Sequence, residues 1–80
     1  MRRDRLLVSE MIEACDRIVA LSDGRPPGEK GIDQLHLEAL LWNFTVLGEA
    51  ASQVSESLRN EAPHVDWLNP VRMRNRIVHG

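Results

Sequence analysis

The sequence predicts an all-α protein, with three helices and a short tail in its 80 residues. Apolar residues recur at spacings of three and four along three segments, which is typical of helices that face a core. Clusters of glycine, proline and small polar residues separate these segments. No segment alternates apolar and polar residues over the length of a strand. These observations favour helices alone as the elements of one small domain.

The first helix is predicted from about Asp4 to Leu21. No glycine or proline interrupts it, and its apolar residues lie three or four positions apart: Leu7, Val8, Met11, Ile12, Cys15, Ile18 and Val19. Cys15 falls within this apolar face and is expected to lie in the core. The turn-forming residues of segment 22–28 should end the helix. A phosphate-binding loop at 24–31 is excluded, because its lysine precedes the final glycine and no strand leads in.

The second helix is predicted to begin after Asp33, a good N-terminal cap, and to end near Asn60. Its apolar face is wider than the roughly 100° of a simple surface helix. This face comprises Leu37, Leu40, Leu41, Phe44, Gly48, Ala51 and Leu58, widened by Leu47, Ala50 and Val54. So wide a face needs more than one neighbour, which in a short chain predicts burial at a subunit interface. Asn43, at its margin, is interpreted as a polar group with satisfied hydrogen bonds.

The third helix is predicted over residues 67–79, after a connection at 62–65. It begins either after Asp66 as cap or three residues later, with Pro70 as its first helical residue. Its apolar stripe consists of Trp67, Val71, Arg74 and Val78. Both Trp67 and Trp42 are expected to be packing anchors rather than ligand platforms.

Composition excludes several classes of function. A net charge of −2 provides no global basic field for nucleic acid, so RNA contacts would depend on the arginines near each end of the chain. One cysteine and three scattered histidines exclude an internal disulfide and predict neither a metal site nor a cofactor. No apolar run resembles a signal peptide or reaches membrane-spanning length, so we expect a cytoplasmic protein without membrane contact.

The C-terminal heptapeptide Arg74-Asn75-Arg76-Ile77-Val78-His79-Gly80 has the chemistry needed to act on a phosphodiester. Arg74 offers a planar fork for phosphate oxygens, and His79 can act as acid or base near neutral pH. Because Arg74 lies on the apolar stripe, the alternative is a structural arginine paired with a carboxylate such as Glu49. On one straight helix Arg74 and His79 project about 140° apart. Either the helix breaks at Gly80 or a second copy of the chain completes the site.

Three segments resemble the HepT-type toxins of the HEPN superfamily: W-N-F-T-V-L-G-E-A-A at 42–51, then Pro63 with Trp67, then M-R-N-R-I-V-H-G at 73–80. The resemblance covers nearly the whole chain in order, and its last segment is the most specific. It implies an antiparallel up-and-down four-helix bundle that forms a homodimer. Family members continue into a further helix and have a tyrosine two residues after the histidine. Residues 1–80 are therefore expected to form a single, C-terminally incomplete HEPN-like domain.

The resemblance also implies a metal-independent endoribonuclease toxin, whose antitoxin is a nucleotidyltransferase that transfers AMP to that tyrosine. The catalytic residues would be Arg74, Asn75 and His79, at a composite site of the homodimer. His79 would exchange the proton, Arg74 would stabilise charge on the phosphate, and Asn75 would orient His79 or the phosphate. Arg72 and Arg76 would bind the RNA backbone without sequence preference.

Two other functions stay open. One is a non-catalytic helical module that binds a nucleotidyltransferase partner through its arginines. The other is a helical dimerisation domain in which Arg74 forms a buried structural ion pair. The catalytic hypothesis predicts that Arg74→Ala produces a folded, inactive protein, whereas the structural hypothesis predicts an unfolded or dissociated one.

Overall fold

Four helices make up the secondary structure of the computed structural model, which describes residues 2–22 and 33–79. They are α1 (Arg2–Ser22), α2 (Gln34–Gln53), α3 (Glu56–Glu61) and α4 (Leu68–His79). The all-α prediction is confirmed. Three predictions lie outside the described residues: the turn that follows Ser22, the excluded phosphate loop and the helix stop at Gly80.

α2 is the central element, because both α1 and α4 pack against it. Arg3 near the start of α1 bonds to Gln53 at the end of α2, whereas Arg17 bonds to Asn43 near the middle of α2. The residue numbers run in opposite directions, so α1 and α2 are antiparallel. The core cluster joins α1, α2 and α3 with Trp67, the residue before α4, and comprises Leu7, Ala50 and Val54, with Met11, Leu58 and Trp67 packed against them.

Aspartate caps begin α2 and α4. Asp33 accepts the backbone N–H of His36 at 2.8 Å, as its predicted role requires. Asp66 accepts the backbone N–H of Asn69 at 3.1 Å. Of the two predicted starts of the last helix, the one capped by Asp66 is therefore correct.

The second helix is shorter than predicted, since it ends at Gln53 rather than near Asn60. Ser55 has extended backbone and caps the separate helix α3 by accepting the N–H of Leu58 at 3.1 Å. Buried Asp4 of α1 accepts hydrogen bonds from the backbone N–H and the hydroxyl of Ser55, at 2.9 and 2.5 Å. Because this carboxylate binds the Ser55 N–H, that group does not continue the hydrogen-bond ladder of α2. A long-range contact thus divides the predicted helix in two.

α1 has two adjacent apolar stripes, and only one of them faces α2. Leu7 and Ala14 are buried, whereas Ile12 and Val19 are more than half exposed. Cys15 is exposed as well, so the prediction that it lies in the core is wrong. The periodicity of both stripes is helical, and the packing partner alone decides which one is buried.

The two tryptophans differ in environment. Trp67 packs against the core and donates its Nε1–H to the carbonyl of Ala62 at 3.1 Å, which confirms its role as a packing anchor. Trp42 is 67% exposed, so its predicted packing role is wrong within the described residues. Leu35, seven residues earlier on α2, is also exposed. Within residues 2–22 and 33–79, no helix combines the length and apolar character required to cross a membrane.

Candidate active site

The C-terminal motif lies on α4, which remains helical through His79. Arg74 is half-buried, whereas Asn75 and His79 are exposed, as are Arg72 and Arg76. Because the helix does not break before His79, the side chains of Arg74 and His79 project about 140° apart. α4 of one chain therefore does not direct both groups to one point.

The inward face of α4 differs from the predicted stripe, because it contains Pro70 and Ile77 and lacks Val78. The partly buried residues of α4 are Pro70, Val71, Arg74 and Ile77, and Trp67 just before the helix is partly buried as well. Val78, which was predicted on this stripe, is 50% exposed. Pro70 and Arg74 both lie against Gly48 of α2, and Ile77, three residues after Arg74, follows them on the same side of the helix.

Gly48 sets the distance between α2 and α4. A Cβ at this position would overlap the Cβ of Arg74 and the backbone oxygen of Pro70, and would lie 3.1 Å from the Arg74 Cγ. Only a residue without a side chain permits this approach of the two helices. The approach holds the Arg74 side chain alongside α2, where Glu49 follows Gly48 in the sequence.

The Arg74 guanidinium is held by two acceptors. Its Nη2 lies 2.8 Å from Oε2 of Glu49, and its Nη1 donates to Oδ1 of Asn75 at 2.8 Å. Its Nε is buried and has no hydrogen-bond partner among the described residues. The Arg74 side chain is 29% exposed and that of Glu49 48%, so the pair forms at the rim of the helix interface rather than in its interior. Glu49 is the carboxylate predicted from the sequence as the partner of a structural Arg74.

Glu49 is itself held from its other side. Its Oε1 accepts the side-chain N–H of Gln53 at 3.1 Å, and Oε1 of Gln53 accepts a hydrogen bond from Arg3 at 2.6 Å. A continuous polar network therefore runs from Arg3 through Gln53, Glu49 and Arg74 to Asn75, joining α1, α2 and α4. The spacing of four residues between Glu49 and Gln53 was a local signal for one of these contacts. The contact with Arg3 depends on the antiparallel packing of α1 and had no such signal.

Asn43 belongs to a second contact between α1 and α2. It is 5% exposed, accepts the Nε–H of Arg17 at 2.6 Å and donates to the carbonyl of Ala39 at 2.9 Å. Its interpretation as a satisfied polar group is confirmed.

Two carboxyl groups at helix starts have shifted pKa values. Hydrogen bonds from the side chain and then the backbone of Ser55 lower the pKa of Asp4. Hydrogen bonds from the backbone and then the ring of His36 lower the pKa of Asp33. Both carboxylates have structural partners, and neither takes part in the Arg74 network. In residues 2–22 and 33–79, no three histidine, cysteine or acidic side chains form a group able to hold a metal ion.

Comparison with known proteins locates this site within a family. The model of a family described as ribonuclease HepT-like matches residues 10–80. The matched range includes α2, α3, α4 and most of α1, and thus the contact of Gly48 with Arg74 and the whole C-terminal motif. No solved structure matches the chain.

Proposed function

This chain belongs to the HepT-like ribonuclease family, and from that premise we propose that it is a toxin endoribonuclease that cleaves RNA without a metal ion. The observation that carries the proposal is the arrangement of α4. Its Arg74 is held by Glu49 and Asn75, and an exposed His79 lies on the same helix. RNA contains its own nucleophile, the 2′-hydroxyl. The protein therefore needs only a proton-transfer group and a cation for the phosphate.

In the proposed reaction the 2′-oxygen attacks the adjacent phosphorus, and the bond from phosphorus to the 5′-oxygen breaks. Neutral imidazole of His79 accepts the 2′-hydroxyl proton, and imidazolium supplies a proton to the departing 5′-oxygen. Arg74 stabilises the negative charge that develops on the non-bridging oxygens. The products are a 2′,3′-cyclic phosphate and a 5′-hydroxyl. Exposed Arg72 and Arg76 attract the RNA backbone, and Asn75 orients the guanidinium of Arg74.

We further propose that the site is composite and belongs to a homodimer. Arg74 and His79 of one α4 diverge, so a single cleft takes them from two chains. The exposed apolar side chains of Trp42 and Leu35 on α2 provide surface that a second copy can bury. We propose that residues 1–80 act as one HEPN-like domain, in the cytoplasm, with a nucleotidyltransferase antitoxin as its partner. The support for the antitoxin is the likeness to the HepT-type toxins.

RNA cleavage in the presence of EDTA tests this function. The protein should cleave RNA under these conditions and leave 2′,3′-cyclic phosphate and 5′-hydroxyl ends. Treatment with a 2′,3′-cyclic phosphodiesterase should then change the mobility of the product bearing the cyclic end. Cleavage that strictly requires an added divalent ion would contradict the mechanism. Sedimentation of a stable monomer at micromolar concentration would contradict the composite site.

A non-catalytic dimerisation module, in which Arg74 is structural, is the second candidate, and the ion pair between Arg74 and Glu49 favours it, because a structural arginine needs such a partner. Arg74→Ala separates the two. A variant with native circular dichroism and native mass, but without cleavage, supports catalysis. Unfolding or dissociation of the variant, together with a wild-type protein that does not cleave RNA, supports the module.

A further inference from the structure

We propose that Glu49 is a positioning residue, which fixes the plane of the Arg74 guanidinium for the phosphate and is itself held by Gln53 and Arg3. The inference rests on the proposed ribonuclease function. It starts from the difference between the two ends of the Arg74 side chain. The Cβ end of Arg74 is fixed by its close approach to Gly48, whereas the guanidinium reaches the rim of the interface, where the side chain is 29% exposed. Without a partner, that end would sample several rotamers.

Glu49 and Asn75 restrict this freedom with one contact on each terminal nitrogen of the guanidinium. Two contacts on different nitrogens define the orientation of a planar group, which one contact does not. Of the five N–H donors of an arginine, the one at Nε is buried and one at Nη1 is donated to Asn75, while Nη2 forms the ion pair with Glu49. Because each terminal nitrogen has two N–H groups, each keeps at least one that these two contacts do not use. Two such donors can bind two oxygens of one phosphate.

The network beyond Glu49 makes its carboxylate a fixed acceptor. Oε1 is bonded to Gln53, which lies one turn further along α2, and Gln53 is bonded to Arg3 of α1. Both carboxylate oxygens are thus engaged, one with Arg74 of α4 and the other with Gln53 of α2 itself. Arg3 also places a positive charge on the side of the network opposite Arg74, which partly offsets the repulsion between Glu49 and an RNA phosphate. A carboxylate whose only effect was to shield the charge of Arg74 from RNA would not need to be held by Gln53 and Arg3.

The test compares the full chain with its Glu49→Ala and Glu49→Gln variants in steady-state RNA cleavage. Glu49→Ala should lower kcat roughly 10- to 100-fold, the range found when a supporting partner of a site is removed, with little change in KM. Glu49→Gln keeps an acceptor for Arg74 and should restore kcat to within about threefold of the wild type. Glu38→Ala, which removes an exposed carboxylate of the same helix outside the network, is the matched control and should leave kcat unchanged.

A second measurement does not depend on cleavage. The side-chain ¹⁵N–¹H signals of Arg74 should show hindered rotation in the wild type and rapid averaging in Glu49→Ala, whereas the exposed Arg72 averages in both proteins. A wild-type protein that shows the hindered Arg74 but cleaves no RNA would refute the ribonuclease function and leave the positioning contact supported. Unchanged Arg74 signals in Glu49→Ala would overturn the positioning role. So would a higher kcat or a lower KM in that variant, since both indicate a carboxylate that masks Arg74.

Discussion

Gly48 lies so close to Arg74 that a Cβ on the glycine would overlap the Cβ of the arginine. This contact links the packing of α4 on α2 to the candidate active site, because the residue after Gly48 is the partner of the Arg74 guanidinium. Any change in the distance between the two helices therefore changes both the stability of the fold and the position of the charge. This contact and three further features of the chain can each be tested by substitution.

The first prediction concerns Gly48→Ala. The added methyl group has no room, because it meets the Cβ of Arg74 and the backbone oxygen of Pro70. We expect the free energy of unfolding to fall by about 1–3 kcal/mol, as for other overpacked interiors. This loss outweighs the roughly 0.5–1 kcal/mol that alanine contributes to a helix relative to glycine. Urea unfolding followed by circular dichroism measures the difference.

Ser52→Ala is the control for this substitution, since Ser52 is exposed on the same helix. It should change the free energy of unfolding by no more than about 0.5 kcal/mol. A Gly48→Ala protein that is more stable than the wild type would show that α4 does not pack on α2 at this distance.

The second prediction is a dependence on pH through Asp4. Hydrogen bonds from Ser55 lower the pKa of Asp4 in the folded protein, so folding favours the ionised carboxylate. This stabilisation is complete above the pKa of an unfolded aspartate, about 4, and is lost as the pH falls through the lower pKa of the folded state. Asp4→Asn should therefore destabilise the protein at pH 7, and the difference from the wild type should shrink in acid.

Urea unfolding at a series of pH values between 3 and 7 tests the role of Asp4. Asp16→Asn, at an exposed position of the same helix, should change the stability at pH 7 by less than about 0.5 kcal/mol. An Asp4→Asn variant as stable as the wild type at pH 7 would mean that Ser55 does not depend on this carboxylate in solution.

The third prediction separates catalysis from folding at His79. Because His79 is exposed at the end of α4, His79→Ala should change the free energy of unfolding by less than about 1 kcal/mol. The same variant should lose RNA cleavage, since it lacks the proposed proton-transfer group. His64→Ala, at an exposed histidine in the connection before α4, should retain full activity. Full cleavage by His79→Ala would end the catalytic interpretation.

The fourth prediction tests the composite site. Arg74→Ala and His79→Ala should each be inactive as homodimers. In a mixed dimer, one cleft draws a working Arg74 and a working His79 from different chains, so mixing after partial denaturation and refolding should restore part of the activity. Refolding each variant alone is the control. Heterodimers that form, as shown by native mass spectrometry, but remain inactive would argue for a site completed within one chain.

The sequence by itself determined that the chain is helical and which aspartates cap the helix N-termini. Spacings of three and four and the absence of glycine and proline predict α1, because these signals are local and act within one or two turns. Asp33 and Asp66 were recognisable as caps for the same reason. The carboxylate partner of Arg74 was also predictable, since a charge on an apolar stripe needs an acceptor on the neighbouring helix.

Only the tertiary structure decided which parts of those helices are buried and where the second helix ends. Asp4 ends α2 through Ser55, 51 residues away, and no local pattern at Ser55 records that contact. Cys15 and Leu41 lie on the predicted apolar faces of α1 and α2 yet are exposed, because α2 covers only one stripe of α1 and is itself covered on only part of its surface. Periodicity defines a face, whereas burial depends on the neighbour that packs there and on its distance. At α4 that distance is set by one residue without a side chain, Gly48.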